Sequence, residues 1–290
     1  MSTTASISNS SIGMTAIAPD AGEEAGYRQV SQTNPQILAR LTGLLFLITY
    51  ATSIPPFISL YVPALNDPAY ILGGAMDFGL SWGALFEMLL IVSNIGTAVA
   101  LYPVLKRQNE ALALGFFAAR LIECIFIAVG ILSVLALGTL RLQATGADSA
   151  AMLAVGQSLV AIHDWTFLLG PGFVVGIGNG LILGCLMWRS RLVPRALSVL
   201  GLIGGPLIVL HGACVVLGII EQGSLWQGIA TVPEFFWELL LGLWLLAKGF
   251  NPSALAALTA DRLDQSRWDY ALARRSALSD FTYSGQALKG

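Results

Sequence analysis

Charge is scarce in this chain. Of its 290 residues only 11% are Asp, Glu, Lys or Arg, against about 25% in an ordinary soluble domain. That excludes a water-soluble globular enzyme built around one large core. An excess of positive charge is missing too. The net charge is −2, so nothing in the composition points to nucleic acid. Cysteine is limited to Cys124, Cys185 and Cys214, all inside apolar runs, which excludes a disulfide framework and any cysteine-based metal spacing. There are two histidines, and neither His-x-x-x-His nor Glu-x-x-His pairing occurs. Phosphate-binding, dinucleotide, haem-attachment and serine-elbow motifs are absent. No basic-then-apolar leader with a small-residue cleavage site opens the chain. The first apolar segment is therefore expected to serve as its own membrane signal.

Long apolar runs are what the chain has instead, with 56% hydrophobic residues. Six runs reach the roughly 20 residues that a helix needs to cross the hydrocarbon. They lie near Leu41–Tyr61, Trp82–Leu105, Ala111–Leu140, Gln157–Trp188, Pro194–Ile220 and Thr231–Ala247. The fold class expected is all-α, a polytopic membrane bundle of six transmembrane helices with the lipid bilayer as its main partner. Asp148-Ser149 reads as the N-cap of the fourth helix, which would start well before its apolar run. Asn66-Asp67-Pro68 is a turn signal, and the short apolar stretch from there to Met76 is expected to lie along the surface.

Loop charge predicts orientation. Lys106, Arg107, Arg189, Arg191 and Arg195 fall in the second and fourth loops, whereas the other three loops hold only Arg141. The positive-inside tendency then places both termini in the cytoplasm. Three regions are expected: a disordered cytoplasmic tail over 1–36, the six-span domain over 37–250, and a partly helical cytoplasmic tail over 251–290. In the last tail Trp268, Tyr270 and Phe281 are available as membrane-surface anchors.

Eight ionisable residues interrupt these spans: Glu87, Arg120, Glu123, His163, Asp164, His211, Glu234 and Glu238. An ionisable group in hydrocarbon is costly unless paired, neutralised or wetted, so these eight form the candidate ligand-binding set. Arg120 and Glu123 stand three apart and share a helix face. A guanidinium carries five donors, more than Glu123 alone accepts, so a second acceptor from Asp164 or Glu238 is expected. His163 and Asp164 are adjacent and point about 100° apart on a helix, so they cannot serve one point together. Given the predicted orientation, most of the set lies in the outer half of the membrane. That describes a polar cavity opening outward and narrowing onto the Arg120–Glu123 pair. The His and carboxylate groups would suffice as metal ligands, but their spacing names no metal and no cofactor. Bis-histidine haem through His163 and His211 would find only Arg141 in the outer loops to meet a propionate.

Gly172, Gly176, Gly180 and Gly184 recur every fourth residue on the fourth span, a pattern that lets a second helix approach closely. Packing within the chain and a homodimer through the same face are the two readings. Pro171 and Pro206 are expected to kink spans four and five.

Several stretches together carry a resemblance. They are Leu101-Tyr102-Pro103, Arg120-Leu121-Ile122-Glu123, His163-Asp164-Trp165 running to Gly170-Pro171, Arg189 to Arg195, Gly201 to Pro206, Trp237-Glu238 and Lys248-Gly249-Phe250. Over roughly residues 37–250 the chain resembles the bacterial six-span membrane proteins called domain of unknown function 4386. The resemblance implies a multi-pass protein of the bacterial cytoplasmic (inner) membrane. It implies no activity, substrate or catalytic residue. Three functional classes stay open: a carrier or receptor-like protein with a polar site for a small molecule or ion, a structural or partner-binding membrane subunit with a packing-only polar core, and an intramembrane enzyme that could use a metal.

Overall fold

Backbone N–H and C=O groups in hydrocarbon have no water to bond, so apolar runs of this length close their hydrogen bonds inside helices. In the computed structural model, which describes residues 34–144 and 148–260, six helices are long and apolar enough to cross a membrane. They are α1 (Pro35–Leu65), α2 (Phe78–Leu105), α3 (Glu110–Leu142), α4 (Ser149–Ser190), α5 (Arg195–Val216) and α6 (Leu225–Ala247). No strand occurs among the described residues. The six-helix, all-α membrane architecture is as the sequence predicts. All six belong to the unit that begins at Pro35. Residues 252–260 add a short helical stretch, while 1–33 and 261–290, which hold most of the two expected tails, lie outside the described residues.

Polar side chains start these helices. Asp77, Asn109 and Asp148 each accept a backbone N–H from the first turn of α2, α3 and α4, at 2.7, 2.9 and 3.0 Å. Each satisfies a donor that has no partner inside its helix. Asp148 is the cap that the sequence marks. Helix α5 ends at Val216, short of the expected Ile220, as the chain turns through Gly218 at φ 70.

The helices stand in a ring in chain order, each packed on the next, and α6 closes the ring against α1. At one end lie Lys106, Arg107, Arg189, Arg191, Arg195 and Lys248, which we call the basic end. An apolar plug fills the ring toward this end: Phe46, Leu101, Leu105, Phe116, Leu183, Leu186, Met187, Trp237, Leu241 and Leu245 are all fully buried. The chain ends of the ring are tied together here. Gln36 donates to Phe250 O at 2.8 Å and accepts from Phe250 N at 3.0 Å, and Asn251 N donates to Leu192 O at 2.8 Å.

The far end is capped by the 66–77 loop. Asp67 accepts from Ala69 N at 2.9 Å, which is the turn that Asn66-Asp67-Pro68 predicts. The following stretch is divided: residues 73–76 are exposed, while its first two apolar residues turn inward. Tyr70 and Ile71 are buried against Tyr61, Leu80, Val134 and Leu137. Arg141 holds them there. Its guanidinium lies 4.1 Å from the Tyr70 ring centroid and donates to Ala75 O and Tyr70 O. The Tyr70 hydroxyl donates to Asp77. Burial pushes the Tyr70 phenol above its usual range, and Asp77 adds to the effect, so the donor stays protonated.

Three stretches leave α-helical register. Pro171 lies in a π-helical stretch, Leu168–Val174, and a second, Gly176–Leu183, follows it. Proline supplies no N–H, and the wider register re-pairs the carbonyls around it. A third stretch, Phe57–Tyr61 in α1, follows Pro55 and Pro56 and is not foreseen in the sequence reading. There Ser59 Oγ donates to Pro55 O at 2.7 Å. Pro206 sits inside α5 without disturbing its α-helical register, so of the two prolines only Pro171 lies in a widened stretch.

Large apolar side chains stay exposed around the ring, among them Leu44, Leu89, Ile125, Val155, Leu210 and Leu243, one from each helix. So much exposed apolar surface suits hydrocarbon and not water.

Candidate functional site

Between the apolar plug and the capped far end the ring holds a cavity of about 720 Å³. That is the size of a small-molecule site. Its wall carries Glu87 and Asn94 from α2, Arg120 and Glu123 from α3, His163 from α4, and Glu234 and Glu238 from α6. Six of the eight residues singled out in the sequence therefore meet at one place. Asp164 and His211 do not. Asp164 points away, its side chain 50% exposed, and borders a separate groove beside the 66–77 loop. The 100° step from His163 accounts for this. His211 is buried on α5 outside the cavity wall, with no hydrogen-bond partner for Nε2 among the described residues.

Arg120 is the hub. Its Nη1 donates to Glu123 Oε2 at 2.7 Å, and Nη2 reaches Glu238 Oε1 at 3.4 Å. The second acceptor expected from another helix is thus Glu238 and not Asp164. Asn94 Nδ2 donates to the other Glu123 oxygen at 2.9 Å. The guanidinium also sits over the rings of Phe46 and Phe116, 5.5 and 6.0 Å from their centroids. Two carboxylates and two aromatic faces engage this cation on several sides.

Glu234 is different. It is 3% exposed, and neither carboxylate oxygen has a hydrogen-bond partner among the described residues. Its Oε2 rests in a niche between α4 and α5. A Cβ added at Gly180 or Gly204 would stand 2.8 or 2.9 Å from that oxygen and closer still to backbone, 2.3 Å from Gly205 Cα and 2.5 Å from Glu234 N, so glycine here serves the close helix approach that forms the niche. Gly176, Gly180 and Gly184 face Gly205, Leu202 and Ile208 on α5 of the same chain. Next to the niche, Trp237 Nε1 donates to Asn179 O at 3.0 Å and ties α6 to α4.

At the far end of the cavity, Glu87 accepts a hydrogen bond from the Tyr61 hydroxyl at 2.9 Å. His163 lies nearby, stacked on Phe57 at 6.3 Å and edge-on to Tyr61 at 5.6 Å. From Glu87 to Asn94 is seven residues of α2, about 10 Å at helical rise. Leu90, Ile127, Phe57, Phe167 and Phe235 line the cavity with apolar surface. Ile54, Ile58 and Gly228 belong to the wall and are exposed, so the cavity reaches the molecular surface between α1 and α6.

Sequence reading missed the tyrosines. Tyr50 donates to Phe235 O at 2.6 Å and lines the cavity, and Tyr61 holds Glu87. Their spacing carries a signal: Tyr50, Phe57 and Tyr61 fall seven and eleven residues apart, one face of a helix. Among the described residues, no three His, Cys, Asp or Glu side chains converge as metal ligands would.

No curated protein and no solved structure matches this chain significantly. A family does. The model for the domain of unknown function DUF4386 matches residues 41–249, a stretch that contains every residue of the cavity wall. The chain belongs to that family of membrane domains.

Proposed function

We propose that the cavity is a binding site for a small molecule or ion in a carrier or receptor-like membrane protein. The observation that carries this reading is Glu234. A carboxyl group with both oxygens unpartnered is costly inside a membrane protein, and groups of that kind cluster at functional sites. A purely structural subunit would account for the Arg120–Glu123–Glu238 network but leaves both Glu234 and the cavity without a use. The glycine ladder supports packing within one chain, because α5 covers three of its four positions, so no homodimer is assigned to that face. The basic end faces the cytoplasm of a bacterial inner membrane, with both chain termini on that side.

Native mass spectrometry of gently extracted full-length protein tests the ligand site. A small-molecule adduct is expected on the wild type and reduced on Ile127→Trp, which fills the cavity wall. An adduct retained equally by the filled variant would move the site elsewhere.

A further inference from the structure

The charge inventory of the cavity selects a ligand class. Its wall holds four carboxyl groups, Glu87, Glu123, Glu234 and Glu238, against one permanently charged base, Arg120. An anionic ligand would need Arg120, and both Nη atoms of Arg120 already hold carboxylates, which leaves Nε as its one unpartnered donor among the described residues. It meets Glu123 at 2.7 Å and Glu238 at 3.4 Å, and packs on Phe46 and Phe116. Acceptors are in surplus instead. Glu234 has two unpartnered oxygens, and Glu238, one helical turn away on α6, gives Arg120 one oxygen at 3.4 Å. A bare metal ion would need several oxygen or nitrogen ligands at one point, and the described residues do not converge three acidic, histidine or cysteine side chains. An organic cation needs fewer. One carboxylate offsets its charge, while its carbon body lies on apolar and aromatic walls, whose ring faces attract cations. Phe57, Phe167 and Phe235 provide those walls. The border of the cavity between α1 and α6 is apolar as well, through exposed Ile54 and Ile58. A ligand with an apolar body suits that border better than a fully hydrated ion does.

We infer that the cavity binds an amphipathic organic cation, its ammonium group on the Glu234–Glu238 side of the wall and its apolar or aromatic body against Phe57, Phe167 and Phe235. This inference rests on the cavity being a ligand site. The test uses three probes of one shape: phenylbutylamine, phenylbutanol and phenylbutyrate. Each is titrated at up to millimolar concentration into the purified full chain in nanodiscs, with binding read by ligand-observed NMR and thermal shift. The amine is expected to bind roughly tenfold more tightly than the alcohol, and the carboxylate more weakly than both. Glu238→Gln should bring the amine-to-alcohol affinity ratio close to one, whatever it does to the two affinities in common. Should that variant fail to fold, Glu234→Gln carries the same expectation. An amine that binds no better than the alcohol, or an advantage that survives both variants, overturns the organic-cation assignment and leaves the ligand site standing. Absence of binding by all three probes would overturn both.

Discussion

Arg120 shows how one residue can make its neighbours depend on it. Its guanidinium neutralises Glu123 and Glu238 together, and removing one partner of a buried ion pair typically costs about 3–5 kcal/mol because the other charge is stranded. Arg120→Leu strands two, so a severe loss of thermal stability in detergent is expected. Adding Glu123→Gln should return part of that loss and not all of it, since Glu238 remains uncompensated. If Arg120→Leu melts like the wild type, the network contributes no stability. The residues themselves were legible, because an ionisable side chain stands out in an apolar run. Their partners were legible only in part. Glu238 and Asp164 were equal candidates until the direction of each side chain was known, and the hydroxyls of Tyr50 and Tyr61 carry no charge to betray them in a span. Glu234 was conspicuous as an acid, but its glycine niche depends on how α4 meets α5, which no local pattern encodes.

At the scale of helices, the ladder on α4 works as a track for α5. A Cβ at Gly176 would run into Gly205 O and the side chains of Ile208 and Val209. Gly176→Leu is therefore expected to overpack the α4–α5 contact at a cost of about 1–3 kcal/mol or more. It should lower the melting temperature further than Leu181→Ala, which trims a half-buried side chain. A silent Gly176→Leu would mean that this contact does not hold the helices together. Existence of the spans was legible because hydrocarbon allows only long apolar helices, while helix ends such as Pro35, Val216 and Leu225 fall several residues from the apolar runs. The caps at Asp148 and Asp67 were legible because short polar side chains have few other uses there. Register was not. Pro171 and Pro206 have the same local sequence signature, each following a glycine, yet α4 widens to π register and α5 does not. The inward turn of Tyr70 and Ile71 in the 66–77 loop is hidden for a similar reason: Arg141, which holds them, lies 66 residues away from Ala75 in the chain.

For the whole molecule, orientation is open to direct measurement. Single cysteines placed at Asn66 and Gln222 should react with a membrane-impermeant reagent from outside the cell, and one at Gln108 should not. The reverse pattern would invert the protein in its membrane and put the capped far end in the cytoplasm. That the chain forms six spans was legible from composition and length. That they make a ring in chain order was not, since hydropathy says how many helices cross and nothing about which touch. The ring has a consequence for how the protein is made. A ribosome delivers α1 first and α6 last, and those two helices form the closing contact. Until residues 225–247 emerge, the contacts of α6 with α1 and α5 cannot form, and the ring of the finished protein has no closing member. During that interval Arg120 is already in the membrane with Glu123 but without Glu238, and the Gly180–Gly204 niche is ready before the carboxyl group that fills it exists. Insertion of α6 brings both acids at once, so the last span synthesised completes the polar interior in a single step. A ribosome stalled before Leu225 would leave a chain with Arg120 and Glu123 in place but without Glu234, Glu238 and the α6 part of the cavity wall.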